Sequence, residues 1–267
     1  RARSRGTIGT RLSEYLQDVE WSLPQALYVF IAGIAGAFIT TAAVLIVMGP
    51  ELNVVAFTAS FAGQAGGNVL AMWILSITRG TGSFLRDFGL TIELKHWWGI
   101  PAGFGLQIAV VLITAPLLEW LFPDGAPQQE VASLTEETTT LVERLLIVAM
   151  VGVAAPVVEE MLFRGMLLSR LVRSMSPGWA VLAQAVLFGA IHLLDPSALA
   201  ALPGLVIIGA VLGYAAIQTG NLSLPIMLHA GVNLTAAIAL MFGAELNDWL
   251  EEVAESGGVE ALVKLFG

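Results

Sequence analysis

Residues 143–170 read ERLLIVAMVGVAAPVVEEMLFRGMLLSR. Between Arg144 and Arg170 the only ionisable residues are Glu159, Glu160 and Arg164, and the rest is apolar on every helical face. About 20 such residues cross a ~30 Å hydrocarbon layer as a helix. A helix satisfies its own backbone, which lipid cannot do for it. Six further runs have this character, near 25–49, 54–78, 99–122, 179–195, 198–219 and 222–243. No run alternates with a strand period. The fold class expected is therefore all-α, a polytopic transmembrane helical bundle of about seven spans.

Composition agrees. The 267 residues are 57% hydrophobic and 12% charged, with mean hydropathy +0.81. Soluble domains carry about twice that share of charge. A disordered chain, a nucleic-acid binder and an ordinary soluble enzyme are excluded. The absence of cysteine removes disulfides, thiolate nucleophiles and Cys-based metal sites. The net charge of -9 is local: residues 123–143 hold five acids and no base, and residues 244–267 hold six acids and one lysine. Both read as solvated segments.

Four parts follow: a cytoplasmic N-terminal segment (1–24), N-terminal transmembrane helices and loops (25–140), a second transmembrane domain (141–243) and an acidic C-terminal tail (244–267). The segment before residue 24 resembles the charged part of a signal peptide. The apolar run after it is too long and lacks a cleavage pattern, so retention is expected. The missing initiator methionine points to a trimmed or partial chain. In the tail, Trp249, Leu250 and Val253 fit a short amphipathic helix at the interface. The spacings Gly63/Gly67, Gly99/Gly103 and Gly209/Gly213 let helix backbones approach closely. With seven crossings and a cytoplasmic N-terminus, ten basic residues fall on or just inside the cytoplasmic side and two, Arg144 and Lys264, outside. That is the positive-inside pattern. It predicts a multi-pass cell-membrane protein with its N-terminus in the cytoplasm and both acidic segments outside.

Ionisable residues inside hydrocarbon are costly and usually mark a site. Here they are Glu159, Glu160, Arg164, His192 and His229, with Asn233 as a polar companion. Glu160 and Arg164 are four apart and can pair on one helix face. Glu159 lies about 100° away, so the two carboxylates are not equivalent. Phe188 and His192 share a face, and so do His229 and Asn233. His96, beside Trp97 and Trp98, reads as an interfacial anchor. At 1.5 Å rise per residue, Glu160 lies roughly 15 Å, His192 about 20 Å, His229 about 11 Å and Asn233 about 17 Å from the cytoplasmic ends of their helices. Three helices thus deliver a carboxylate, two imidazoles and an amide to one band of depth. Helix–helix hydrogen bonding explains any one of these features alone.

The inventory restricts the chemistry. Ser169 and Ser174 lack a nucleophile-elbow setting. The two-histidine zinc helix is absent. A glutamate base with two imidazoles and an amide can activate water and stabilise an oxyanion. Glu159, His192 and His229 also suffice in number for zinc, so a metalloenzyme is the alternative. Asn233 favours the metal-free reading, because an amide is a poor zinc ligand and a good oxyanion donor. Buried charge also lines ion paths, but no internal repeat of the kind transporters show is evident.

Glu159-Glu160-x-x-x-Arg164, Phe188-x-x-x-His192 and His229-x-x-x-Asn233, in order on successive spans, resemble the CAAX prenyl protease 2 and bacteriocin-processing (CPBP, Abi) family of intramembrane proteases. The resemblance covers residues 159–233, within a recognisable domain of about 141–242. It implies an all-helical endopeptidase acting within the membrane on a membrane-associated protein or peptide, with the lipid bilayer as its other partner and no nucleic acid. It implies that Glu159 and His192 hold and activate water, that His229 and Asn233 stabilise the oxyanion, and that Glu160, Arg164 and Phe188 support them. No cofactor is expected, with zinc as the alternative. Some relatives act in bacteriocin immunity or as membrane scaffolds, so the substrate and its prenylation are not carried over.

Overall fold

The computed structural model describes residues 19–49, 54–124 and 140–255. The expectations for residues 1–18, for the acidic loop 125–139 and for residues 256–267 lie outside the described residues. Seven long helices follow one another: α1 Leu23–Met48, α2 Val54–Arg79, α3 Gly99–Leu121, α4 Leu141–Leu171, α5 Pro177–Ile191, α6 Leu202–Thr219 and α7 Ser223–Glu255. No strand occurs among the described residues. Five helices are long and apolar enough to cross a membrane, and Ser223–Ala239 of α7 is a shorter apolar stretch. The other helix outside those five is α2, which carries Gln64 and Asn68. The chain is a multi-pass membrane protein. The last helix continues through position 243 to Glu255 without a break.

Helix starts follow local chemistry. Ser22 and Gln25 form a reciprocal capping box at α1, and Thr140 and Glu143 form one at α4. Pro177 opens α5, where its missing N–H costs nothing. Before α3 the chain makes a short turn, Leu94–His96. Its preceding residue ties α3 to the start of α7: the Glu93 amide donates to Ser223 Oγ (2.8 Å) and Asn221 donates to the Glu93 carboxylate (3.0 Å). Lys95 beside it holds that carboxyl below its ordinary range.

All three glycine pairs lie at close helix contacts. A Cβ on Gly63 would sit 2.4 Å from Gly36 O of α1, and one on Gly67 2.2 Å from Ala32 O. Gly103 faces α7, where a Cβ would lie 2.2 Å from Leu228 O, and Gly209 faces Ala185 of α5. The prediction is direct. Gly103→Ala forces α3 from α7 and lowers stability by about 1–3 kcal/mol. Gly105→Ala meets nothing within 4 Å and leaves the melting temperature in detergent unchanged or raised. Equal melting behaviour of the two variants would contradict this contact.

Candidate active site

The site is built on α4, which is not a uniform α-helix. It widens into π turns at Met150–Ala154 and again at Met161–Leu168, on either side of the two glutamates. Such interruptions collect at functional positions. Glu160 and Arg164 are both fully buried. Arg164 Nη1 donates to Glu160 Oε1 at 2.7 Å, and Nη2 donates to Gly209 O of α6 at 3.0 Å. The same carbonyl accepts from Gln184 Nε2 of α5 at 2.7 Å. The guanidinium lies over the Phe188 ring, 4.8 Å from its centroid. One cation therefore ties α4, α5 and α6 together.

The two carboxylates converge on one imidazole. His229 Nδ1 lies 2.9 Å from Glu160 Oε1, and its Nε2 lies 3.7 Å from Glu159 Oε2. The Glu160 carboxylate is held by Arg164, so it accepts and Nδ1 carries the hydrogen. Nε2 then faces Glu159 across a gap that a water can bridge. Glu159 differs from Glu160 in environment, as its place on the helix wheel predicts: its side chain is 26% exposed and lines the cavity.

His192 occupies the end of α5. The α-helix tightens there into a one-turn extension, His192–Leu194, and the chain becomes extended at Asp195, the residue that Pro196 keeps out of helical backbone. His192 Nδ1 lies 2.8 Å from Phe188 O. A carbonyl only accepts, so Nδ1 carries the hydrogen and Nε2 of the neutral ring is an acceptor. The Phe188 ring walls both histidines, with centroids 5.1 Å from His192 and 5.6 Å from His229. Asn233, one turn beyond His229, donates from Nδ2 to Val151 O at 2.8 Å. Its second amide hydrogen and its carbonyl remain for the cavity.

Glu159, Phe188, His192, His229 and Asn233 line one cavity of about 780 Å³. Its remaining walls are largely apolar, from Phe38, Phe57 and Phe61 of the α1–α2 pair to Val110 and Leu118 of α3. Such a volume suits a substantial ligand. The sequence-predicted residues thus meet as expected from depth, with Glu160 and Arg164 directly behind them. Not anticipated were Gln64, Gln107 and Asp195 on the cavity wall and Gln184 behind Arg164. His96 differs from the interfacial expectation: it is 8% exposed, while Trp97 and Trp98 are the exposed pair. Among the described residues no three His, Asp or Glu side chains form a metal-ligand cluster.

No curated protein and no solved structure matches the chain significantly. The helices that carry all three motifs into the cavity, residues 140–235, match the family model of type II CAAX prenyl endopeptidase Rce1-like proteins, and this is the family that the motifs resemble.

Proposed function

We propose that the protein is an intramembrane endopeptidase that hydrolyses a peptide bond of a membrane-associated protein or peptide with a glutamate-activated water. The observation that carries the reading is the convergence of Glu159, His192, His229 and Asn233 on one apolar-walled cavity. The Glu159 carboxylate takes a proton from water, and His192 Nε2 holds that water as an acceptor. The hydroxide oxygen bonds to the scissile carbonyl carbon. The oxygen that becomes negative receives hydrogen bonds from Asn233 Nδ2 and, in its imidazolium form, from His229 Nε2. Glu159 then returns the proton to the leaving amine as the C–N bond breaks.

Arg164 and His229 already occupy Glu160 Oε1, and Asn233, an amide suited to an oxyanion and poor for zinc, lines the cavity with Glu159. These assignments support hydrolysis without a bound metal. The test compares membranes holding wild type with membranes holding Glu159→Gln, by quantitative proteomics of intact and cleaved membrane proteins. A substrate should accumulate uncut only with the variant, and its cleavage by wild type should survive exhaustive chelation. Activity lost on chelation and restored by zinc would replace this mechanism with a metalloprotease.

Loss of the oxyanion donor is a separate prediction. Asn233→Ala should lower turnover by roughly two to three powers of ten. Asn233→Asp should be worse, since it sets a negative charge beside the developing one. Wild-type turnover in both variants would leave Asn233 as a packing residue.

The cell membrane is the proposed location, with a cytoplasmic N-terminus and an external C-terminus, supported by the distribution of basic residues. A reporter fused after Gly267 should be active only when it functions outside the cytoplasm. Cytoplasmic activity of that fusion would reverse the assignment.

A further inference from the structure

The bond from Asn233 to Val151 O joins a side chain of α7 to a main-chain carbonyl in the middle of α4. In a regular α-helix that carbonyl would accept from the amide of residue 155. Here the Ala155 amide is turned to Met150 O, as the π turn at Met150–Ala154 requires. In a continued π pattern the carbonyl would accept from residue 156. That residue is Pro156, which has no N–H. Both intrahelical donors are therefore withdrawn from Val151 O, and Pro156 withdraws one of them chemically. A bare carbonyl inside a membrane protein is costly, so it recruits a donor from elsewhere.

We propose that Pro156 is a positioning residue for Asn233: by leaving Val151 O without a helical donor it creates the acceptor that orients the catalytic amide. It acts through Asn233 and touches no reacting atom. The inference rests on the oxyanion role proposed above for Asn233, and it lies in a backbone feature that the three motifs do not contain. It also accounts for a proline three residues before Glu159 in a membrane helix. The interruption sets one face of α4 for an amide from α7 while the carboxylates follow on the next turn.

The test is Pro156→Ala, alone and combined with Asn233→Ala. Alanine restores an N–H and favours regular helix, so the variant should fold as well as wild type or melt higher. Val151 O then gains a partner within α4 and competes with Asn233. In protein labelled with 15N-asparagine, the Asn233 side-chain amide resonances, identified by their loss in Asn233→Ala, should move toward free-amide positions. This readout does not depend on activity. With a fluorogenic peptide ending in a prenylated Cys-aliphatic-aliphatic-X sequence as probe, turnover should fall roughly tenfold or more with KM little changed. In the Asn233→Ala background Pro156→Ala should cost nothing further, because the two act as a unit. Unmoved Asn233 resonances in Pro156→Ala would overturn the proposal. So would a turnover loss equal in both backgrounds, or one that tracks a fall in melting temperature. If Asn233→Ala keeps full turnover while Pro156→Ala still shifts the amide, the oxyanion reading fails and the positioning contact stands as structural only.

Discussion

Glu159→Gln should abolish cleavage and leave the fold intact. The substitution keeps the shape and the hydrogen-bonding reach of the side chain but removes the group that accepts the proton. A positioned general base is worth about 10²–10⁴ in rate, and in the proposed mechanism the same group also returns the proton to the amine. Stability should hold because the carboxylate is partly exposed to the cavity and its nearest ionic neighbour, His229 Nε2, is 3.7 Å away. The measurement pairs turnover with thermal melting of the purified protein in one detergent. A variant that melts early and still cleaves would move the base elsewhere.

Glu160→Gln should fail in the opposite way. Its carboxylate oxygen is the shared acceptor for Arg164 at 2.7 Å and His229 at 2.9 Å, with all three side chains essentially buried. Removing the charge leaves a buried guanidinium unbalanced, at a cost of about 3–5 kcal/mol. The yield of folded protein and its melting temperature should both drop, and activity with them. The companion test is Glu160→Gln with Arg164→Met, which removes both charges and should recover part of the stability though not the orientation of His229. If the single variant were fully stable and active, the buried pair would have no structural role.

The spans were legible because hydrophobicity in lipid is a coarse signal read over about 20 residues. Apart from the end of α7, which runs on from the expected 243 to Glu255, the helices begin and end within a few residues of the expected runs, with Leu141–Leu171 and Leu202–Thr219 as examples. The Glu160–Arg164 pair was legible because it is local, four residues apart on one helix. The bond from His229 to Glu160 was not, since it joins residues 69 apart in sequence. Depth alone put the two helices' polar residues in one layer, and depth says nothing of which atoms meet. Gln64, Gln107 and Gln184 carry no charge, so a reading based on ionisable groups in hydrocarbon does not reach them. A neutral amide in an apolar run carries the same warning, since it too needs a partner. The π turns have no periodic signature in the sequence.

The carbonyl of Val151 also bears on how the chain is made. While α4 stands alone in the bilayer, that oxygen faces hydrocarbon without a donor. Glu160 likewise lacks the imidazole that later shares its charge. Both partners, His229 and Asn233, come from α7, which follows α1–α6 in the chain. Biogenesis therefore has a late closing step. α1 and α2 meet at their glycines, and Arg164 joins α4 to α6, without any contribution from α7. Docking of α7 then gives Val151 O its donor and Glu160 its second partner in one event.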